Sequence, residues 1–492
     1  MKDILSGRCF DSRIRSEKIE KKEKYLGHFL GPVSVILMNS ILSNYLNVYY
    51  TDVLDISGIW GGLFIGAFPI VAKALDVLTF IYMGRVVDGT DSRQGKVRPW
   101  ILFSAPLLVI SMVLLFVVPV GNENVTAIWI FLSYTMFYAV AYTMYSTAHT
   151  LLVPLATHDE EERGKLSLVA NTPNMAAGML IAILFPCLVV PMIGVNRSAW
   201  MGIMLAVAAM AFPMVLVEYF FTRERVTEKK ENKEERKRSS LKWQFKCCLR
   251  SRSWVVLMIY VIVLQLVNAL FSAGTFYYCN WVLGSYNDGY TQALFYALGQ
   301  APLGIGIIFC TPICRKFGRR NAMMGGFLLS IAGVILCLIQ PRNLALVLTG
   351  QVIRTVGLIP SNFMISSLLG DALDDVERVS GERCDGFSSS VYNCIVTMTS
   401  GVALCIFNYG ITFFGYQAPA VSVIPVQNTV VQNFMIFCVI GVQVVAYPLI
   451  LGLLFFFRND RQKPSGIEYK DVGNGRHPDV NKRCHASRAS LL

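Results

Sequence analysis

A chain of 492 residues that is 54% hydrophobic and only 15% charged, with a mean hydropathy of +0.50, is too apolar to be a set of soluble domains and reads as a membrane protein. Its net charge of +12 requires no nucleic acid partner, because basic residues that flank membrane spans and face anionic lipid produce the same excess. The 13 cysteines are mostly dispersed in apolar runs, where a thiol packs as a small hydrophobe, and show no metal-ligand spacing.

Residues 1–27 form a polar, basic tail without an apolar core or a small-residue cleavage site, so no cleavable signal peptide is expected. Apolar runs then recur at 28–51, 59–83, 99–120, 125–153, 166–193, 198–221, 254–281, 291–313, 321–340, 344–370, 386–415 and 433–457. Most approach or exceed the ~20 residues that cross about 30 Å of hydrocarbon. They predict an all-α membrane protein of twelve transmembrane helices, since barrel strands would alternate over ~10 residues.

Of the 44 Lys and Arg, Arg197 and Arg342 fall on one set of loops and Lys73 and Arg354 inside spans; all the others fall on the opposite set or the two tails. That asymmetry places both termini in the cytoplasm. The stretch 223–253 is dense in charge and reads as a solvated linker. It divides the chain into an N-terminal six-helix bundle, 28–222, and a C-terminal six-helix bundle, 254–457, with a cytoplasmic tail at 458–492. The basic, Gly-containing loops 84–99 and 315–320, each after the second helix of its half, echo one another. Such an echo suggests duplication, two pseudo-symmetric bundles and a substrate held between them near the midplane.

In span one, Asn39, Ser43 and Asn47 recur at helical spacing beside Ser40 and Asn44, a face suited to a polar cavity. Span two carries Lys73 and Asp76 near its middle, charges that lipid makes costly and that are functional candidates by default. At i, i+3 they form a proton-switch geometry, in which burial and the neighbouring cation act oppositely on the acid. Thr79 is a candidate oxygen ligand should the cation be sodium; a pair that merely neutralises itself at a helix interface fits the same residues. Tyr142, Tyr145 and Ser146 of span four, Asn171 and Asn174 of span five, Gln265 and Asn268 of span seven, Gln300, and Tyr392, Asn393 and Thr397 of span eleven are candidates to complete the cavity. Each fits helix-packing glue equally well. His149, near the inner end of span four, fits a packing role or a proton role.

Arg354 in span ten has no acidic residue within one or two turns. With Lys73 it could attract an anionic group such as a uronate, or it could pair with Asp76 across the halves. On the inner side Asp88, Arg93, Lys96 and Arg98 face Arg315, Arg319, Arg320, Glu377, Glu382 and Arg383, where ion pairs could close a cytoplasmic gate as the halves rock; solvated topology signals are equally consistent. Pro69, Pro173, Pro302 and Pro360 lie within spans and permit kinks. One deep carboxylate, no His/Asp ligand set and no phosphate-cradling Gly loop disfavour an intramembrane enzyme.

The run Lys73-Ala-Leu-Asp76, then Gly84 to Asp88 and Ser92 to Trp100, resembles the helix-two and following-loop signature of the glycoside-pentoside-hexuronide:cation symporters, the melibiose permease-like family of the major facilitator superfamily. Tyr49 to Val53, Val153-Pro154 and the stretch from Asp371 to Asp385 agree with it. The resemblance implies a monomeric secondary transporter of the plasma (inner) membrane that works by alternating access. It implies symport of a sugar, glycoside or uronide with H+ or Na+, no other cofactor, no metal, no nucleic acid partner and no enzymatic activity. In melibiose-type members two acids one turn apart on helix two share the cation; here the positions hold Asp76 and Phe80. Counting without gaps from Tyr49, Val153 and Arg383, the family's sugar-binding acids of helices one and four fall on Ile36 and Ser146, and its buried helix-eleven lysine on Thr397. Melibiose-like galactoside recognition is therefore not expected. A lysolipid or amphiphile carrier, an organic anion carrier of the same superfamily and an uncoupled facilitator are the alternatives.

Overall fold

Backbone polar groups that cannot reach water must be satisfied within their own segment, which long apolar runs achieve as helices. The computed structural model describes residues 10–90, 92–157, 159–225, 241–380, 385–420 and 424–456, and all regular structure among them is helical. The long helices are α1 (Glu23–Val53), α2 (Leu63–Asp88), α3 (Arg98–Phe116), α4 (Glu123–Ala156), α5 (Glu160–Leu184) and α6 (Arg197–Phe221) in the first half. In the second half they are α7 (Arg252–Leu283), α8 (Tyr290–Phe317), α9 (Arg319–Ile339), α10 (Leu344–Ser380), α11 (Asp385–Phe413) and α12 (Thr429–Phe456). Among the described residues ten helices are long and apolar enough to cross a membrane: α1 to α4, α6, α7 and α9 to α12. α5 and α8 are of similar length.

Two features depart from the sequence reading. The helix over Leu344–Ser380 runs ten residues beyond the apolar stretch that ends at 370, because helical hydrogen bonding does not require apolar side chains and an Arg378–Asp375 pair at 2.5 Å, spaced i, i+3, supports the last turns. The charged linker is not wholly solvated: Leu241–Arg250 is helical, with Cys247 and Cys248 buried while Lys242, Lys246 and Arg250 stay exposed. That helix packs on α7, α10 and α11.

Helix ends are capped by local side chains. The amide oxygens of Asn122 and Asn196 accept from the first backbone N–H groups of α4 and α6, and the Ser251 hydroxyl accepts from Trp254 N at the start of α7. Wide π-helical turns occur at Tyr49–Val53 and Cys279–Leu283, the ends of the first helix in each half. Such turns frequently mark functional positions.

Within the first half α6 packs on α1 and α3; within the second, α7 packs on α11 and α12, and α10 on α8 and α9. The halves meet through α2 against α11 and α5 against α8. α9 and α10 approach with backbone almost in contact: a Cβ on Gly326 would sit 2.3 Å from the Gly357 carbonyl oxygen, and one on Gly333 would sit 2.6 Å from the Gly350 oxygen. Small residues are what allow helices to pack this closely in lipid. Overpacking such a contact costs about 1–3 kcal/mol or more. Gly357→Leu therefore lowers the melting temperature of the purified protein well below that of Gly325→Leu, whose position has nothing within 4 Å; equal shifts would contradict this packing.

Candidate functional site

A cavity of about 250 Å3 lies where α1, α2 and α4 of the first half face α7 and α11 of the second. Its polar lining comes from Ser43, Asn44, Asn47 and Tyr50 on α1, Lys73 on α2, Tyr134 and Tyr138 on α4, Ser272 and Tyr277 on α7, and Ser400 and Asn408 on α11. Apolar side chains such as Leu42, Ile65, Phe68 and Leu404 fill the wall between them. An apolar wall with a few converging polar groups is the general form of a small-molecule site.

Lys73 is the one cation in that lining. Its Nζ lies 2.9 Å from Asp76 Oδ2 and sits over the rings of Tyr138 and Tyr134, 4.5 and 5.6 Å from their centroids. The Lys73 stem is clamped by α11, where a Cβ on Gly401 would lie 2.9 Å from Lys73 Cγ and from the Pro69 carbonyl oxygen. The ammonium is thus held at the contact between the halves. Asp76 is 5% exposed, and its second oxygen, Oδ1, is buried with no hydrogen-bond partner among the described residues. It meets the cavity through Lys73, being itself outside the lining. The Thr79 hydroxyl donates to the Leu75 and Asp76 carbonyl oxygens, both at 3.0 Å. Phe80 is 44% exposed.

At the end of the helices away from the termini, polar side chains join the halves. Asn47 and Asn408 exchange two amide hydrogen bonds, at 2.9 and 2.8 Å. Asn47 also donates to the Tyr277 hydroxyl (3.1 Å), which is 2.6 Å from the Thr51 hydroxyl, which in turn is 2.8 Å from Asp52 Oδ1. Asp52 is 3% exposed and accepts further bonds from Tyr416 (3.0 Å) and Tyr286 (3.5 Å). The Thr51 hydroxyl also lies 3.1 Å from the Asn47 carbonyl oxygen, so these groups form a branched network that reaches the Asp52 carboxyl.

Several expected site residues lie elsewhere. Arg354 is 3% exposed and belongs to the interior of the second half: its guanidinium lies 4.3 Å from the Phe271 ring centroid, and Nη1 donates weakly to the Tyr447 hydroxyl at 3.5 Å. Among the described residues it has no ion pair, so the expected link to Asp76 is absent and the cavity lining does not include it. Tyr145 and His149 turn from the cavity to Glu218 of α6, a fully buried carboxylate. Asp52 and Glu218 therefore correct the expectation of one deep acid. Ser146 donates to the Thr143 carbonyl oxygen, Thr397 accepts from Ser400 at its carbonyl, and Gln265 and Tyr392 are half-buried outside the lining. Asn39 and Asn268 are half-buried and Asn393 is exposed, all outside the lining.

The expected inner gate is rearranged too. Arg98 is buried and donates to the carbonyl oxygens of Tyr219 and Gln94, partners within its own half, so it anchors α3 to α6 instead of spanning the halves. The Glu224 carboxylate accepts from the backbone N–H groups of Lys96, Val97 and Arg98. Arg93 donates to Asp11, and Arg320 to the Phe455 carbonyl oxygen. Glu382 and Arg383 lie outside the described residues, as do the side chains of Asp88, Asn171 and Arg319.

Sequence reasoning missed Asn408, Tyr134 and Tyr138, although the spacing carried them. Ser400, Leu404 and Asn408 continue the helical stripe that begins at Asn393 and Thr397, and Tyr134 and Tyr138 extend Tyr142 at intervals of four. Tyr416 and Tyr286 lie outside the helices, and no periodicity could have found them.

Residues 27–461 match the model of the MFS/sugar transport protein family. The chain is 25% identical over 460 residues to the isoprimeverose transporter of Lactiplantibacillus pentosus, covering 92% of each. It is 24% identical over 441 residues to the putative glycoside/cation symporter YagG of Escherichia coli (strain K12), covering 89% of this chain and 92% of that one. The fold also matches the crystal structure of a bacterial homologue of the human lysosomal transporter Spinster, with a TM-score of 0.60 at 13% identity over 89% of this chain and 96% of that one. This multi-pass membrane chain belongs to the MFS/sugar transport protein family.

Proposed function

We propose that the protein carries a small glycoside, pentoside or uronide together with H+ or Na+ by alternating access, with α1 to α12 as twelve spans and both termini in the cytoplasm. The observation that carries this reading is the cavity between the halves, with Lys73 in its wall and Asp76 behind it. The names of the two relatives above, a sugar transporter and a glycoside/cation symporter, support the substrate class and the coupling. Hydroxyl and amide groups at Ser43, Asn44, Asn47 and Ser400 suit sugar hydroxyls, and the ring faces of Tyr134 and Tyr138 suit an apolar sugar face.

In this orientation the end closed by Asn47, Asn408, Tyr277 and Asp52 is the outer side. Asp76 Oδ1, buried and unpartnered, is the acceptor for the incoming cation. Neutralising Asp76 frees the Lys73 ammonium toward the cavity, so cation and substrate binding favour each other. Outward opening then requires the Asn47–Asn408 and Tyr277–Thr51 bonds to break.

Three outcomes test the reading. In proteoliposomes, isoprimeverose or another member of a panel of pentosides and hexuronides accumulates under an imposed H+ or Na+ gradient. Uptake indifferent to both gradients would make the protein a facilitator, and preferential uptake of a labelled lysophospholipid would replace the substrate class. Asp76→Asn removes accumulation, leaving at most equilibration; concentrative uptake by that variant would end the coupling role. Tyr277→Phe removes a hydroxyl that serves both Asn47 and Thr51, at a cost to outer closure of about 1–3 kcal/mol. Labelling of a Ser43→Cys reporter by an impermeant maleimide from outside, in a background without other reactive thiols, then rises about 5–150-fold; unchanged labelling would show that these bonds do not hold the outer side shut.

A further inference from the structure

The inner ends of α1, α4 and α6 enclose a second group of ionisable side chains that the cavity does not use. Glu218 on α6 is fully buried. Its carboxylate accepts from the Tyr145 hydroxyl at 2.5 Å and meets His149 Nδ1 at 2.6 Å, both from α4. α1 seals the opposite side at two glycines. A Cβ on Gly31 would sit 2.5 Å from Glu218 Cβ, and one on Gly27 would sit 2.5 Å from the Phe221 carbonyl oxygen. His28, one residue beyond Gly27, is 1% exposed, and neither of its ring nitrogens has a partner.

The remaining charges around this group are committed elsewhere. Arg225, after α6, holds Glu23 of α1 through two bonds of 2.8 and 2.7 Å. Lys24 lies 3.8 Å from Glu162 of α5, and Arg98 of α3 donates to the Tyr219 carbonyl oxygen. Among the described residues no Lys or Arg contacts the Glu218 carboxylate, and its basic neighbour is His149. A carboxylate sealed from water needs a proton or a cation for compensation. The His149 imidazole is the neighbour that can supply that proton, and His149 keeps 20% of its side chain accessible while Glu218 keeps none.

His149, Tyr145, Tyr142, Tyr138 and Tyr134 follow one another along α4 from this group to the cavity lining. His149 stacks on Tyr145 with ring centroids 5.6 Å apart; Tyr142 and Tyr138 are 6.1 Å apart, and Tyr138 and Tyr134 4.5 Å. Tyr138 and Tyr134 are the rings that carry the Lys73 ammonium.

We propose that Glu218, His149 and Tyr145 form a proton-binding site separate from Asp76, loaded through His149 from the cytoplasmic side, whose occupancy is communicated along the tyrosine face of α4 to Lys73. The inference rests on the symport reading above and makes the proton a coupling ion. The transfer is a proton moving between water and the Glu218–His149 pair, with no other bond changed.

The first test needs no substrate. The full-length protein with 15N-labelled histidine, in lipid nanodiscs, is titrated by NMR, with the His149 signal identified by its loss in His149→Gln. The His149 signal titrates, and Glu218→Gln moves its midpoint by about one pH unit or more; Tyr145→Phe, a milder change, moves it less. A midpoint indifferent to Glu218→Gln, or an imidazole that does not titrate, overturns the site. In the second test, wild-type proteoliposomes under a gradient of about one pH unit accumulate isoprimeverose about tenfold, and Glu218→Gln falls toward the equilibrated level. If Glu218→Gln accumulates as the wild type does, the coupling role is overturned. If wild-type vesicles move no glycoside under any gradient, it is the transport reading that fails, and the histidine titration still decides whether the proton site exists.

Discussion

An ion pair placed in a layer of apolar helices is tolerated only where protein replaces the water it has lost. Lys73 and Asp76 meet that condition in an uneven way. The lysine is well compensated: carboxylate at 2.9 Å, two tyrosine faces, and a stem packed against α11 at Gly401. The aspartate is half compensated, with one oxygen bonded and the other buried without a partner. A pair that served only to neutralise itself would gain from a second donor to Oδ1. In the proposed reading that oxygen is where a small cation binds, and the lysine in the cavity wall is the group through which it influences what binds beside it. Because the ammonium sits where α2 meets α11, a change in its charge environment acts on the contact that joins the halves.

The closure at the far end is built from a different kind of interaction. Asn47, Asn408, Tyr277 and Thr51 make neutral hydrogen bonds, each worth about 0.5–1.5 kcal/mol net, and the network ends on the buried Asp52 carboxyl. Such a closure is firm as a set and separable bond by bond, as an alternating device requires. The wide turns at Tyr49–Val53 and Cys279–Leu283 lie at the same place, at the end of the first helix of each half. The terminal end is organised within each half: Arg98, Glu224 and Tyr219 tie α3 to α6, and Arg320 reaches α12.

What the sequence revealed and what it concealed follow from the range of the interactions involved. The helical runs and the Lys73–Asp76 pair are local properties, readable from run length and from spacing along one segment. Ser43 and Asn47 were legible because the polar stripe on α1 repeats every four residues. Arg354 misled for the same reason that it attracted notice. An unpaired cation in a span suggests an anion partner, yet Arg354 lies against the Phe271 ring with a weak bond to the Tyr447 hydroxyl, and those neighbours lie on other helices. Glu218 was hidden by its position near the end of an apolar run, where a charge reads as a span boundary; only the close approach of α1 at Gly31 makes it deep. Arg98 likewise looked like part of a gate because its loop is basic, whereas its bonds go to backbone carbonyls of α6 and its own loop.

The central claim is that cation and substrate binding are linked through Lys73 and Asp76. Calorimetric affinity for the best-bound glycoside, measured on the purified protein over a range of pH and of sodium concentration, tests it most directly. The account predicts that affinity rises with the concentration of one of these cations. An affinity that stays flat across both would contradict it.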